Sequence, residues 1–555
     1  MALLSLAVAA LGLLPVMAGP KAATVDVQLL AINDFHGNLQ PPAGSSGRIN
    51  DHGVNVDAGG VEYLATHVKS LKATMPAGRT AVVSAGDLVG ASPLISALFH
   101  DEPTIEAMNL LGLDVNAVGN HEFDEGTAEL KRLRGGGCHP VDGCQDGDPY
   151  AGSDFPFLAA NVVSQKSGNT LFPGVKVMKL GGEKVGFIGM TLEGTPLIVT
   201  PSGVAGYDFL DEAETANFYA AQLQARGVQS IVVLVHEGGF PTGFFDECPG
   251  ISGPIVDIVN RMDPSIDVVV SGHTHQGYDC EINNKLVTSA SSFGRLVTDI
   301  DLTIDRRTHD IVTAEANNVI VTRTVARDAA ETALIAKYNA LSAPLANRVI
   351  GSITADITRT STPAGESALG DVIADAQLAA TAPAGFGDAV AAFMNPGGIR
   401  TDLLYNQISG GEAPGEVTYG EAFNVQPFGN SLVTMTLSGN QIDTLLEQQF
   451  DNPTPGSTRI LQVSDGFTYA WDNAQPTGSK VDISTIMIDG VAIDPSGSYR
   501  VTVNSFLADG GDGFSVLVSG TDRLGGAVDL DALADYFAAN SPVAPGPQDR
   551  ITRVN

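Results

Sequence analysis

The residues with the greatest chemical promise are histidines and aspartates that stand at the ends of apolar runs. VDVQLLAIN leads into Asp34, Phe35 and His36, TAVVSAG into Asp87, and VNAVG into Asn120, His121, Glu122, Phe123 and Asp124. SIVVLV leads into His236, and SIDVVVSG into His273, Thr274 and His275. Half of the chain's ten histidines lie at these five places. A lone histidine is usually structural, but five clusters at equivalent positions point to one shared centre. Mixed imidazole and carboxylate donors suit zinc, manganese, iron or cobalt and are poor for calcium alone. The chemistry that these residue types predict is that of a transition-metal centre.

The elements that must position these residues are short β-rich runs alternating with helical stretches, from about Thr24 to Thr324, which implies a layered α/β fold. In open α/β sheets, ligands collect outside the carboxyl ends of the strands. A spacing of two in extended backbone points side chains the same way, so Asp34 with His36, and His273 with His275, are each expected to converge on one metal. The stretch DAAETALIAKYNALSAPLA, Asp328 to Ala346, is rich in helix formers and reads as a connecting helix. A second α/β unit begins near Arg348. It has helices around ESALGDVIADAQLAA and SGNQIDTLLEQQF, and strands at TYAWD, ISTIMIDG and YRVTVNSF. No repeat of solenoid period occurs, and the Gly-, Asp- and Pro-rich stretch from Gly135 to Asp154 reads as a surface insertion.

The motifs NDFHGN, GD, GNHEFD, the lone His236 and GHTH stand in the order found in the calcineurin-like metallophosphoesterases. Over nearly the whole mature chain the sequence more closely resembles the secreted bacterial 5′-nucleotidase family. The resemblance implies a four-layer αββα metallophosphoesterase domain over residues 24–325. It implies a linker helix over 326–348 and a C-terminal α/β substrate-binding domain over 349–555. It makes Asp34, His36 and His275 ligands of one metal, Asn120, His236 and His273 ligands of the other, and Asp87 the bridging carboxylate. Some family members carry Gln at the position of His275. The cofactors implied are two divalent ions: zinc, manganese or cobalt. His121 resembles the family's catalytic histidine, with Asp124 orienting its ring.

Three loops of the second half belong to the same resemblance: NPGGIR, VQPFGN and NSFLADGGDGF. Phe428 and Phe506 would sandwich a nucleobase, and Asp512 would meet the ribose hydroxyls. Asn395 and Asn430 would contact substrate, while Arg400 can grip a phosphate with two parallel hydrogen bonds. The chain departs from the family ahead of the helix at ESALGD: extra arginines are common there, whereas here Arg359 is set well back. The implied reaction is hydrolysis of nucleoside 5′-monophosphates. The same scaffold could serve UDP-sugars or 2′,3′-cyclic nucleotides, and a non-catalytic extracellular nucleotide-binding protein is the reading from another class.

Composition bounds these readings. The 555 residues include 63 acidic and 30 basic side chains, for a net charge of −33. Such a field repels a nucleic-acid polymer, so a small anionic nucleotide is the expected partner, drawn in by local cations. The apolar start MALLSLAVAALGLLPVMAG reads as a signal peptide over residues 1–18, without the usual basic start, and predicts export to a periplasm or the medium. No later run is long and apolar enough for stable membrane insertion. The four cysteines fit an oxidising compartment: Cys138 and Cys144 share one Gly-rich loop and read as a local disulfide, which leaves Cys248 and Cys280 to pair.

Overall fold

The computed structural model describes residues 23–42, 44–199, 201–452 and 456–555. The expected signal peptide falls outside these residues. Two six-stranded sheets dominate the N-terminal half. The first runs in the order Ile311–Ile320, Leu296–Asp305, Thr24–Ile32, Thr80–Ser84, Val115–Ala117, Phe157–Leu158. The second runs Gly277–Ile282, Lys285–Ala290, Val268–Ser271, Ser230–His236, Glu183–Thr191, Val175–Leu180. The central strands of both sheets are dominated by β-branched and apolar residues, as burial on both faces requires. Val27, Leu29, Val83, Phe187, Val232 and Val270 fill the layer between the sheets. Helices Val61–Lys72 and Glu102–Leu111 cover the outer face of the first sheet, and Glu212–Ala225 and Pro254–Arg261 that of the second. The fold is therefore the expected helix–sheet–sheet–helix stack.

The central pairs are parallel: Thr24–Ile32 with Thr80–Ser84 and then Val115–Ala117 in one sheet, and Glu183–Thr191 with Ser230–His236 and Val268–Ser271 in the other. Their carboxyl ends consequently lie together, and the clusters described above follow them. Helix Ala329–Ala346, capped by the Asp328 carboxylate on the N–H groups of Ala330 and Glu331, packs Ile335 and Tyr338 onto the core of the first sheet.

The C-terminal half holds a five-stranded sheet in the order Gln462–Val463, Ala391–Met394, Ser498–Asn504, Ser431–Ser438, Thr521–Val528. The two expected helices form as Ala368–Thr381, capped by Ser367, and Gly439–Glu447, opened by a Ser438/Gln441 capping box. ISTIMIDG departs from expectation. Its first residues make a 3-10 turn because the Asp482 side chain accepts the Ser484 N–H, and only Met487–Ile488 remain as strand.

Both expected disulfides form, Cys138–Cys144 and Cys248–Cys280. The Gly135–Asp154 loop is tied to its surroundings by side chains. Asp146 accepts from Lys337 (2.7 Å) and Tyr338 (3.1 Å) of the connecting helix. His100 bonds Glu125 at 2.7 Å and Asp142 at 2.9 Å, and its ring stacks on His139 at 3.8 Å. Burial opposes charge on His100, but the two carboxylates prevail and push its pKa up to about 9. A raised histidine pKa stabilises the fold fully below its unfolded value of about 6.5 and loses that contribution as pH climbs through 9. His100→Gln is therefore expected to cost on the order of 1 kcal/mol at pH 6, limited by solvent screening, and close to nothing at pH 10. Denaturant melts at both pH values check this; an equal cost at both would mean that the charge does not hold the loop.

Candidate active site

The ligand-bearing loops leave their strands through an uncommon backbone conformation. Asp34, His36, Asp87, His273 and His275 all have positive φ, between 47° and 69°. The expectation of convergence through extended backbone is thus corrected: alternate residues in left-handed conformation, not a pleated strand, bring each pair together. Non-glycine residues enter this region at a cost and persist where their surroundings over-determine them. Here the Asp34 N–H donates to Gly86 O, the His36 N–H to Asp87 O and the Gly37 N–H to Leu88 O, at 2.9–3.0 Å. Glycine is required where the loops touch: a Cβ on Gly86 would lie 2.6 Å from Gly119 N and 2.8 Å from His236 Nδ1.

The side chains meet in three overlapping groups: Asp34 with His36 and His275, Asp87 with His236 and His273, and His36 with Asp87 and His121. Asp34 Oδ1 lies 3.9 Å from His36 Nε2 and 3.4 Å from His275 Nε2. Asp87 Oδ2 lies 2.9 Å from His236 Nε2 and 3.6 Å from His36 Nε2, so it faces the first two groups alike. Nearby N–H groups fix the carboxylates: that of His273 reaches Asp34 at 3.0 Å, and that of His121 reaches Asp87 at 2.9 Å. Two backbone carbonyls fix the imidazoles. Gly90 O accepts from His36 Nδ1 at 2.9 Å and Ala85 O from His236 Nδ1 at 2.7 Å, which turns both Nε2 atoms to the centre.

Three observations test whether this donor set fits divalent cations. The buried Asn120 Oδ1 has no hydrogen-bond partner. Burial holds His36 and His273 near pKa 3, and His275 well below its usual value, so these rings are neutral and each keeps a nitrogen lone pair. His236 behaves oppositely: burial opposes its charge, but Asp87 and Asp34 push its pKa up to about 10, so a proton supplies positive charge that the centre demands. Carboxylate oxygens, an amide oxygen and imidazole nitrogens thus converge at one place, a donor set that fits divalent cations.

His121 stands beside this centre. Its Nδ1 bonds Asp124 Oδ2 at 2.8 Å, and although burial disfavours the imidazolium, Asp124 and Asp87 raise its pKa above the ordinary value. A cavity of about 160 Å³ is lined by Asn120, His121, Asp124 and His273 from the N-terminal half. The C-terminal half lines it with Asn395, Arg400, Phe428, Asn430, Phe506 and Asp512. The structure thus brings together every candidate residue named from the three C-terminal loops.

Their contacts add detail. Phe428 stacks on His121, centroids 5.8 Å apart at 19°, and the Arg400 guanidinium lies 5.8 Å from the same Phe ring. Asn430 Oδ1 accepts from Ser505 Oγ and the Phe506 N–H, so this side chain braces Phe506. Asp512, at φ 54°, accepts from Asn395 at 2.9 Å and pairs with Arg459 at 3.1 Å. Arg459 and Asn504, which line the same cavity, lie outside the sequence reading. Asn504 stands at the head of the recognised NSFLADGGDGF loop, whereas TPGSTRILQ around Arg459 bears no motif. Glu122 gains a role that its motif does not reveal: its buried carboxylate accepts from the N–H groups of Asp87, Leu88 and Gly119, strapping two ligand loops together. Asp87→Ala is expected to cut cation content and to lower phosphoester turnover by more than about a hundredfold. Elemental analysis beside kinetics checks this, and normal values of both would exclude a bridging role.

The sequence matches the calcineurin-like phosphoesterase family over residues 27–277 and the 5′-nucleotidase C-terminal domain over residues 349–519. It is 33% identical to Endonuclease YhcR of Bacillus subtilis over 95% of this chain, and 34% identical to Cell wall protein Lmo0130 of Listeria monocytogenes over 89%. The chain spans 41% and 64% of the length of these relatives. A crystal structure of a 5′-nucleotidase precursor from Thermus thermophilus superposes with a TM-score of 0.77 at 27% identity, covering 96% of this chain and 100% of the other. With both domain signatures in order and the cation-ready loops between two facing sheets, the chain belongs to the 5′-nucleotidase family of calcineurin-like metallophosphoesterases.

Proposed function

We propose that the protein hydrolyses nucleoside 5′-monophosphates to nucleoside and phosphate. The observation that carries this reading is the cavity whose wall combines the cation centre, the His121–Asp124 pair and the six C-terminal residues. Asp34, His36 and His275 would hold one divalent ion, Asn120, His236 and His273 the other, with Asp87 between them. Zinc, manganese or cobalt bound there would neutralise phosphate oxygens and activate water toward phosphorus. Arg400, on the wall of the same cavity, orients the phosphate. His121, held by Asp124, would donate a proton from Nε2 to the departing 5′ oxygen. Phe506, braced through Asn430, offers a face to the base, while Asn395 and Arg459 fix Asp512 for the ribose hydroxyls.

This reading assigns phosphoester chemistry to residues 24–325 and nucleoside recognition to 349–555, joined by the segment 326–348. It also places the protein outside the cytoplasm, through the apolar start at 1–18 and the two disulfides. Among the described residues no helix is long and apolar enough to cross a membrane.

Because Phe428 also touches His121, Phe506 is the cleaner probe of base stacking. Phe506→Ala is expected to lower kcat/KM for AMP about tenfold, the worth of one stacked base, and to leave p-nitrophenyl phosphate within about twofold. Steady-state kinetics with both substrates in manganese decide it. Equal losses on the two would make Phe506 a packing residue and remove the nucleoside from this cavity.

A further inference from the structure

Outside the active site, the described residues hold one further cluster that mixes imidazole with carboxylate: His100, Glu125 and His139, with Asp142 behind them. Three separate stretches of chain supply it. His100 lies in the turn between helices Leu94–Ala97 and Glu102–Leu111, and Glu125 caps the start of helix Gly126–Gly135. His139 and Asp142 stand inside the loop closed by the Cys138–Cys144 disulfide. His100 and its neighbour Asp101 hold left-handed backbone, at φ 51° and 59°, as the candidate ligand residues of the centre do.

The contacts divide the roles. Glu125 Oε2 lies 2.7 Å from His100 Nδ1. Asp142 Oδ2 lies 2.9 Å from the other nitrogen of His100, Nε2, and 3.2 Å from His139 Nδ1. Asp142 thus engages one nitrogen of each ring, which leaves His100 Nδ1 and His139 Nε2 for a shared partner. One donor atom from each of His100, Glu125 and His139 lies within 4.8 Å of the other two. Two imidazoles and a carboxylate form a donor set for zinc, with the fourth position open to water. A second carboxylate on the far nitrogens fixes the tautomer and the orientation of metal-bound imidazoles. The two histidine side chains are 15–16% exposed and that of Glu125 is 48% exposed, so the cluster opens to water on the Glu125 side and an ion can enter.

We propose that His100, Glu125 and His139 bind one zinc ion, separate from the active-site cations, with Asp142 orienting both imidazoles. In the metal-free chain a proton on His100 holds the cluster together. The ion takes the place of the Nδ1 proton, which leaves to solvent, and the two rings splay from their stack so that both lone pairs point at the metal. The bound ion clasps the disulfide loop to two segments that support the active site. Glu125 follows Asp124, which holds His121. Asp101, beside His100, accepts the Gly90 N–H at 2.9 Å, and Gly90 O in turn holds His36. The ion braces the fold and takes no part in the reaction, so the inference stands apart from the reading of the active site.

The test is zinc titration of the metal-stripped full chain against a chromophoric chelator, at about pH 8 to weaken the competing proton. Wild type is compared with His139→Ala, Glu125→Gln and Asp87→Ala, with thermal melts to verify folding. His139→Ala and Glu125→Gln are each expected to bind one equivalent fewer than wild type, or to bind it about tenfold or more weakly. His139→Ala should keep p-nitrophenyl phosphate turnover in manganese within about twofold. Asp87→Ala, which disrupts the central cluster, should retain the outer equivalent, and zinc should still raise its melting temperature until His139→Ala is added. Zinc uptake equal to wild type in a folded His139→Ala or Glu125→Gln chain overturns the site and leaves an ion-paired loop. A folded Asp87→Ala chain that takes up no zinc also overturns it. So does a His139→Ala chain whose turnover falls together with its zinc, because the lost ion then belongs to the active site.

Discussion

Asp34 and Asp87 are carboxylates with almost no solvent exposure, set into the same dry space at the ends of two sheets. Like charges in such a medium repel strongly, and an uncompensated buried charge costs several kcal/mol. Much of the surrounding structure answers that cost. Backbone N–H groups from the loops of His273 and His121 cross to the two carboxylates, and Asn33 donates to Asp34. His236 retains a proton beside Asp87. Burial still pushes the Asp34 pKa up to about 7. At Asp87 burial acts in the same sense, yet the histidines around it prevail and hold its carboxyl well below the usual range. The loops that carry the candidate ligands are thus the loops that supply compensation.

The C-terminal half solves a complementary problem. Its sheet delivers loops rich in glycine and asparagine, whose side chains are largely spent on one another: Asn504 on Asn395, Asn395 on Asp512, Asn430 on Phe506. A polar network satisfied in this way is rigid, and rigid donors lose little entropy when a ligand arrives. What faces the cavity is then aromatic surface, one acidic group and guanidinium groups, a set matched to a base, a sugar and a phosphate.

The metal-ligand types are legible in the sequence because strand periodicity and the position of each His and Asp at a strand's end are local properties. The route by which they converge is not. Left-handed φ at Asp34 and His36 is held by backbone hydrogen bonds to the Asp87 loop. The left-handed His273 is held in turn by the Asp34 carboxylate, 239 residues away in the chain. The sheet-end clusters and the two helices expected in the second half form where the sequence indicates, since amphipathic pattern and capping residues suffice for them. The strand at ISTIMIDG is shorter because one aspartate cap outcompetes β propensity. Arg459 and Glu122 are illegible for a shared reason: each acts through partners distant in the chain, Asp512 for one and the Asp87 loop for the other. The second role of Asn430, as a brace, is equally hidden in a loop motif whose plain sense is ligand contact.

The left-handed backbone of the candidate ligand residues carries a thermodynamic consequence. Each such residue costs on the order of 1–3 kcal/mol, so five together approach the net stability of an ordinary domain. That energy is drawn from the packed sheets and is present before any ion arrives. Cations that bind only the folded chain add to its stability by mass action. Ion occupancy and resistance to unfolding are then a single coupled quantity. A chain that folds where metals are scarce begins its life nearer to its unfolding threshold than one that folds where they abound.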